Sequence, residues 1–330
     1  MAEGSPYAGA SVLITGGLGF IGSNLAHRLV ALGARVTLLD SMRPECGGNE
    51  HNVAGIREQV VVELGDVRDS ERVSRLVRGM DVVFNLAGTA SHTDSMADPY
   101  TDLDINCRGQ IGVLEACRTH NPGVRVVFTG TRGQYGRAER LPVDERQPLV
   151  PADANGINKT AGEQYHLLYH RYYGLRTTSL RLSNTYGPRH QMKHARQGVI
   201  CWFVRQVLDG RPIRVYGDGK QVRDTNYVDD VVEALCRAGA SAEADGEVFN
   251  LGGAPVGLVD LAQAIIRLAG RGSFELCEYP AASRGVEVGD YVADTTKIEQ
   301  RLGWKAAVSL DEGLRRTIEF YGKEKAHYWE

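Results

Sequence analysis

Gly16-Gly17-Leu18-Gly19-Phe20-Ile21-Gly22 follows directly on the apolar run Ser11-Val12-Leu13-Ile14-Thr15, and this junction decides the fold. A buried strand that runs at once into glycines and then a helix builds a site for a pyrophosphate. Glycine allows a tight turn and close approach to the phosphates, while the helix start offers free N–H groups and a positive dipole end. Ile21, Leu25, Leu29 and Leu32 place an apolar stripe on one helix face. A second strand, predicted at 35–39, ends in Asp40. An acidic side chain about 20 residues past the glycines is placed to accept hydrogen bonds from the adenosine ribose hydroxyls. It would repel a ribose phosphate, so the pattern favours NAD over NADP. Gly16, Gly19, Phe20, Ile21, Gly22 and Asp40 are therefore candidate cofactor residues.

Apolar runs at 60–64, 81–86, 124–129 and 177–182 add four further strands, with helical spacing at 70–78, 101–119 and 156–173. Such alternation means parallel strands joined by right-handed crossovers, hence a doubly wound α/β sheet of Rossmann type. Ligands of such sheets bind outside the carboxyl ends of the strands. Chemistry is expected after Leu86, after Phe128 and around residues 182–189. The pattern loosens after Gly187-Pro188. Residues 1–188 are expected to form the NAD-binding domain, with pieces near 220–255 returning to it. Residues 189–330 would form mainly a smaller C-terminal α/β substrate-binding part.

The 330 residues carry a net charge of −3, with 42% hydrophobic and 24% charged residues, which is ordinary for a globular protein. Arg and Lys are scattered, so nucleic acid is not an expected partner. No apolar run approaches the ~18 residues of a membrane span, and the N-terminus lacks an apolar signal core. Six cysteines without paired or metal-like spacing read as reduced thiols of a cytoplasmic protein.

Further motifs carry a specific resemblance. They are Asp66-Val67-Arg68-Asp69, Asn85-Leu86-Ala87-Gly88, Asn106, Thr131 with Tyr135-Gly136, and Lys159 with Ala161-Gly162-Glu163. Arg181 with Asn184-Thr185-Tyr186-Gly187-Pro188, Arg223-Asp224, Tyr227-Val228-Asp229-Asp230, Asn250-Leu251-Gly252-Gly253 and Leu302-Gly303-Trp304 continue the series. The chain resembles an extended short-chain dehydrogenase/reductase of the nucleotide-sugar epimerase and dehydratase branch. That resemblance implies NAD as cofactor, a nucleotide-diphosphate sugar as substrate, and oxidation and re-reduction of the sugar, usually at C4. It places Asp66 and Val67 beside the adenine, Leu86 and Ala87 on the nicotinamide side, and Asn106 under the loops that hold the cofactor. Asn184 and Arg223 match residues that hold the substrate diphosphate, with Arg284 as a second phosphate arginine. The helices matching 101–119 and 156–173 form a four-helix homodimer interface in the family.

Family members take the hydroxyl proton with a tyrosine four residues before the lysine, a spacing that shares one helix face. Here Asn155 stands in the tyrosine's place, with Thr131 and Lys159 present. An amide has no titratable proton in this range and cannot act as a general base. Three readings stay open: redox chemistry with another acceptor, binding with little turnover, and an inactivated site. Tyr135, His92, Tyr165, water and Lys159 itself are the candidate acceptors.

The loop after Thr131 reads Arg132-Gly133-Gln134-Tyr135. It lacks the Asp-Glu pair that 4,6-dehydratases carry there, and the Glu of decarboxylating relatives. Elimination and decarboxylation thus lose the groups they require. A 4-epimerase is the leading reading, and a dehydratase, a reductase or a silent binding protein are the alternatives. Ser91-His92-Thr93-Asp94 resembles a dehydratase run that positions cofactor and sugar, and Arg132 is placed to meet a carboxylate on the sugar or solvent. His166, His170, His190 and His194 lack carboxylate or cysteine partners at ligand spacing, so no metal is expected.

Overall fold

The first apolar run forms β1 (Ser11–Thr15), buried at four of its five positions. The glycine turn after it leads into α1 (Phe20–Ala31). In this computed structural model, residues 4–44, 46–196, 198–278 and 289–329 are described. The chain continues through β2 (Arg35–Asp40), β3 (Val60–Leu64), α2 (Ser70–Leu76) and β4 (Val82–Asn85). Three helices follow, α3 (His92–Ala97), α4 (Pro99–Leu103) and α5 (Gly109–His120), before β5 (Arg125–Thr131), α6 (Ala154–Tyr173) and β6 (Arg176–Leu182). Then come β7 (Asn184–Tyr186), α7 (Val199–Leu208), β8 (Ile213–Tyr216), β9 (Val222–Tyr227), α8 (Val228–Ala240) and β10 (Val248–Asn250). The last elements are β11 (Ala254–Gly257), α9 (Leu258–Ala269), β12 (Phe274–Cys277), α10 (Thr296–Leu302) and α11 (Leu310–Glu324).

Seven strands form one sheet in the order β3-β2-β1-β4-β5-β6-β10, and every neighbouring pair is parallel. The architecture is the expected α/β doubly wound sheet. Its strand order reverses between β1 and β4, which opens a crevice at their carboxyl ends. Strand alternation sends side chains to two layers: Val12 and Ile14 join one apolar cluster, Leu13 the other. Each fully buried aliphatic side chain of this kind contributes about 1.5–3 kcal/mol relative to exposure. Smaller sheets, β11-β9-β7 and β12-β8, are built from strands on either side of β10 in sequence. Among the described residues no helix is long and apolar enough to cross a membrane.

One expected helix differs. The segment expected as one helix over 101–119 is interrupted at Asp104–Arg108 by a π-type turn between α4 and α5. The cause is a side chain in the backbone ladder: Gln110 Nε2 donates to the Ile105 carbonyl at 3.1 Å and to the Ala87 carbonyl at 3.1 Å. The turn thereby ties the helix to the strand end beneath the cleft.

Candidate active site

The glycine turn is built by backbone contact. Gly16 has φ +69°, and a Cβ there would sit 3.0 Å from Ala87 Cα. A Cβ on Gly22 would collide with the Gly16 carbonyl and lie 2.9 Å from Gly17 Cα. Gly19 caps α1 without a side-chain hydrogen bond, and the helix has no acidic residue in its first turn. Its first amides are left for an anion. Asp40 closes the turn, accepting from the Leu18 amide at 3.0 Å and the Met42 amide at 2.9 Å. Burial raises its pKa, and these amides oppose the rise.

A cleft of about 340 Å³ runs along the strand ends, within the range of small-molecule sites. Gly16, Gly19, Phe20, Ile21, Gly22 and Asp40 line one end. Asp66 and Val67 flank it, with Leu86 and Ala87 deeper in. Asp66 is held below the usual carboxylate range by its hydrogen bond with Arg68, against a smaller burial effect. Thr15, which sequence reasoning passed over, fixes the inner wall: its Oγ1 accepts from the Leu86 and Ala87 amides, each at 3.1 Å.

The far end brings His92, Thr131, Arg132, Asn155, Lys159 and Asn184 to the same wall. Lys159 Nζ donates to the Thr129 carbonyl at 3.2 Å. Burial lowers its pKa to about 8, with the Asp102 charge opposing. A Cβ on Gly88 would sit 2.8 Å from Lys159 Nζ and 2.7 Å from Asn106 Oδ1, so this loop closes tightly over the ammonium. Arg132 sits with its guanidinium 5.6 Å from the Tyr291 ring centroid. Asn184 donates from Nδ2 to the Asp224 carbonyl at 3.0 Å.

Asn155 is buried, and its amide nitrogen spends both protons on the Thr89 carbonyl, at 2.9 Å, and on Asp102 Oδ2, at 3.1 Å. Asp102, also buried, further accepts from Asn158 Nδ2 at 2.8 Å and from Thr89 Oγ1. The residue in the tyrosine's place thus ties α6 to α4. Asp102 and Thr89 were absent from the sequence reading because only the folded helices bring them together.

His92 Nδ1 lies 2.6 Å from Asp153 Oδ2, while Asp153 Oδ1 caps α6 by accepting from the Gly156 amide at 2.8 Å. Burial would raise the Asp153 pKa, but the His92 contact and two backbone amides outweigh it and hold the carboxyl below its ordinary value. Asp153 was missed as a site residue, although an Asp three residues before Gly156 reads as a helix cap.

Three expected site residues lie elsewhere among the described residues. Tyr135, expected to be catalytic, is 1% exposed; its hydroxyl donates to Asn250 Oδ1 at 2.7 Å and accepts from Arg181 Nη1 at 2.6 Å. Burial raises its pKa, so the phenol keeps its own proton, and its hydroxyl is already engaged by Asn250 and Arg181; the expected catalytic role is corrected. Arg223 does not line the cleft; it donates to the Gly289 carbonyl at 2.9 Å and to Gln221 Oε1 at 2.6 Å. Asn106 lies behind the wall, where Oδ1 accepts from the Thr89 amide at 3.2 Å and holds that loop. Arg284 lies outside the described residues.

The histidines considered for a metal serve packing and hydrogen bonding. His166 stacks on Phe128 with centroids 4.4 Å apart, and burial lowers its pKa to about 4, as it does for His190. Another group, His51, Glu324 and His327, lies away from the cleft. Its ligand atoms lie within 4.8 Å of one another, and its two rings stack 3.7 Å apart.

The glycine turn, the open helix start and the Gly88 cradle fit a dinucleotide. Residues 12–252 match the NAD dependent epimerase/dehydratase family. The chain belongs to that family. Among family members, it is 35% identical to the UDP-glucose 4-epimerase of Mycolicibacterium smegmatis over 94% of this chain and 97% of that one. The structure is similar to Thermotoga maritima UDP-glucose 4-epimerase with UDP-glucose, at a TM-score of 0.87 and 33% identity, covering 96% of this chain and 99% of that one. It is also similar to DesIV, a dTDP-glucose 4,6-dehydratase of Streptomyces venezuelae with NAD bound, at a TM-score of 0.88 and 29% identity, covering 97% and 99%. Epimerases and dehydratases both stand among its relatives, and NAD is the family's cofactor.

Proposed function

We propose that the protein is an NAD-dependent nucleotide-sugar 4-epimerase that works through a 4-keto sugar, with Asn155 where the family usually has its catalytic tyrosine. The observation that carries this reading is the cleft wall at Thr131. Arg132, Gly133 and Gln134 follow it, and Gln134 is buried with its Oε1 accepting from the Thr131 amide at 2.8 Å. No carboxylate stands where elimination of water needs an acid and a base, whereas epimerisation needs only removal and return of a hydride.

NAD, when bound, supplies the hydride acceptor and donor. Gly16, Gly19, Phe20, Ile21 and Gly22 would hold its pyrophosphate, Asp40 its adenosine ribose, Asp66 and Val67 its adenine. Lys159 would hold the nicotinamide ribose, and the Thr131 hydroxyl would polarise the reacting hydroxyl. Asn184 and Arg132 are placed to meet the sugar nucleotide, with Arg223 and Arg284 assigned to its diphosphate by resemblance alone. Residues 189–330 would mainly carry that substrate, and residues 1–188 the dinucleotide.

Met96, Tyr100, Leu103, Ile157, Leu168 and Tyr172 on α3, α4 and α6 are exposed, Tyr100 by 80% and Tyr172 by 76%. So much exposed apolar and aromatic surface on adjoining helices supports a second copy of the chain as partner. Cys107, Cys117, Cys201, Cys236 and Cys277 stand outside any disulfide, which supports the cytoplasm as location.

The burial of Asn155 also favours a second reading, a silent binder of NAD and nucleotide sugar. Incubation with UDP-, dTDP-, GDP- and CDP-sugars, followed by product stereochemistry, separates the two. Inversion at C4 is expected. Loss of water would move the assignment to a dehydratase, and binding without product to the silent reading.

A further inference from the structure

We propose that His92, oriented by Asp153, is the group that takes the proton from the sugar hydroxyl being oxidised, in place of the absent tyrosine. The assignment rests on the epimerase reading above and names the residue that this reading leaves open.

The geometry starts from α3, a short helix that begins at His92. Ser91 caps it, accepting from the Asp94 amide at 3.1 Å, and Ser95 Oγ donates to the His92 carbonyl at 2.8 Å. The Asn155 backbone N–H in turn donates to Ser95 Oγ at 3.2 Å. His92 is therefore fixed to the start of α6, the helix that carries Asn155 and Lys159. Its ring reaches the loop after β5. A Cβ on Gly133 would sit 3.3 Å from His92 Cε1 and 3.6 Å from Thr131 Oγ1. His92 Cε1 and Thr131 Oγ1 thus both lie within 4 Å of one methyl-sized point beside Gly133, and both residues line the cleft.

The protons follow from the partners. Asp153 is buried and already accepts the Gly156 amide, so its carboxylate needs a donor at Oδ2. Nδ1–H of His92 is that donor, at 2.6 Å. In the neutral ring the lone pair then falls on Nε2, the nitrogen turned away from Asp153. A carboxylate behind Nδ1 fixes the tautomer and stabilises the imidazolium that forms when Nε2 takes a proton. Asn155, in the tyrosine's place, is an amide, and Tyr135 is sealed against Arg181 and Asn250.

In the forward step the hydroxyl O–H bond breaks and its proton passes to Nε2. The C–H bond on the same carbon breaks with its electron pair, as hydride to the oxidised dinucleotide, and a carbonyl forms. On return the carbonyl oxygen takes the proton back from Nε2. Asp153 acts through His92 and is a positioning residue.

The test compares wild type, His92→Gln and Asp153→Asn on the nucleotide sugar that the wild type inverts. The His92 side chain is 45% exposed, and Asn at 153 keeps an oxygen for the cap, so both variants should melt within a few degrees of wild type. His92→Gln should lower kcat by about 10²-fold or more, as loss of a general base does, while sugar-nucleotide affinity by calorimetry changes less than about threefold. Asp153→Asn should lower kcat by about tenfold or more. The second readout needs no turnover. In ¹⁵N-histidine-labelled protein the His92 resonance, identified by its loss in His92→Gln, should show protonated Nδ1 and bare Nε2. Asp153→Asn should shift it toward the Nε2–H tautomer. Nε2–H in the wild type, or His92→Gln turning over within about threefold of it, overturns the assignment and leaves the epimerase reading standing. A wild type that inverts no sugar overturns both.

Discussion

Lys159 puts a cost on the residue scale that only function explains. Its ammonium is buried over the Phe128 ring, 5.1 Å from the centroid, and no carboxylate among the described residues pairs with it. Burial lowers its pKa to about 8 from the ordinary 10.5. The folded chain therefore binds fewer protons than the unfolded chain between pH 8 and 10.5. Stability rises with pH through that window, and below it the penalty is full, about 3 kcal/mol. In protein freed of dinucleotide, Lys159→Met is expected to raise the melting temperature by a few degrees at pH 7, a gain of ~1–3 kcal/mol that fades above pH 10. The same variant should lose NAD affinity. A lower melting temperature at pH 7 would contradict this picture of Lys159. At this scale the family resemblance pointed to Thr131, Lys159 and the missing tyrosine, and positions 155 and 159 share one helix. The sequence could not show that Asn155 is tied to Asp102, that Asp153 holds His92, or that Tyr135 faces Arg181. Those pairs are 53, 61 and 46 residues apart and meet only through the sheet.

Among the elements, the turn between β1 and α1 separates two jobs of glycine. At Gly22 an added methyl meets backbone on two sides, the Gly16 carbonyl and Gly17 Cα, neither of which can swing away. At Gly19 the backbone is extended, φ −75° and ψ −178°, and a methyl would meet only the Gly16 carbonyl, at 3.3 Å. Gly22→Ala should therefore destabilise the fold by about 3 kcal/mol or more. Gly19→Ala should leave stability within about 0.5 kcal/mol, yet lower NAD affinity by tenfold or more, because Gly19 lines the cleft where the helix start is left for an anion. Thermal melts and titration calorimetry on the two variants check both halves. This turn was readable in the sequence because strand, glycines and helix are contiguous. The π-type turn at Asp104–Arg108 was not, since it depends on Gln110 bonding back to the Ile105 carbonyl.

For the whole molecule, six of the seven strands of the large sheet follow from alternating apolar runs and helical spacing. The seventh, β10, is three residues long and too short to carry a pattern. The apolar face of α3, α4 and α6 belongs to this scale too. Replacing Ile157 and Leu168 together with glutamate should convert a dimer to a monomer in light scattering, and a monomeric wild type would remove the second copy as partner. The proposal at the centre of the account is that a sugar carbon gives up a hydride inside this cleft and regains the same hydride on its other face. UDP-, dTDP-, GDP- and CDP-glucose deuterated at C4, incubated with the protein and NAD in ordinary water, test it most directly. The account predicts a C4-inverted product from at least one of them with the deuterium still at C4. No inverted product, or one whose C4 hydrogen came from water, would contradict it.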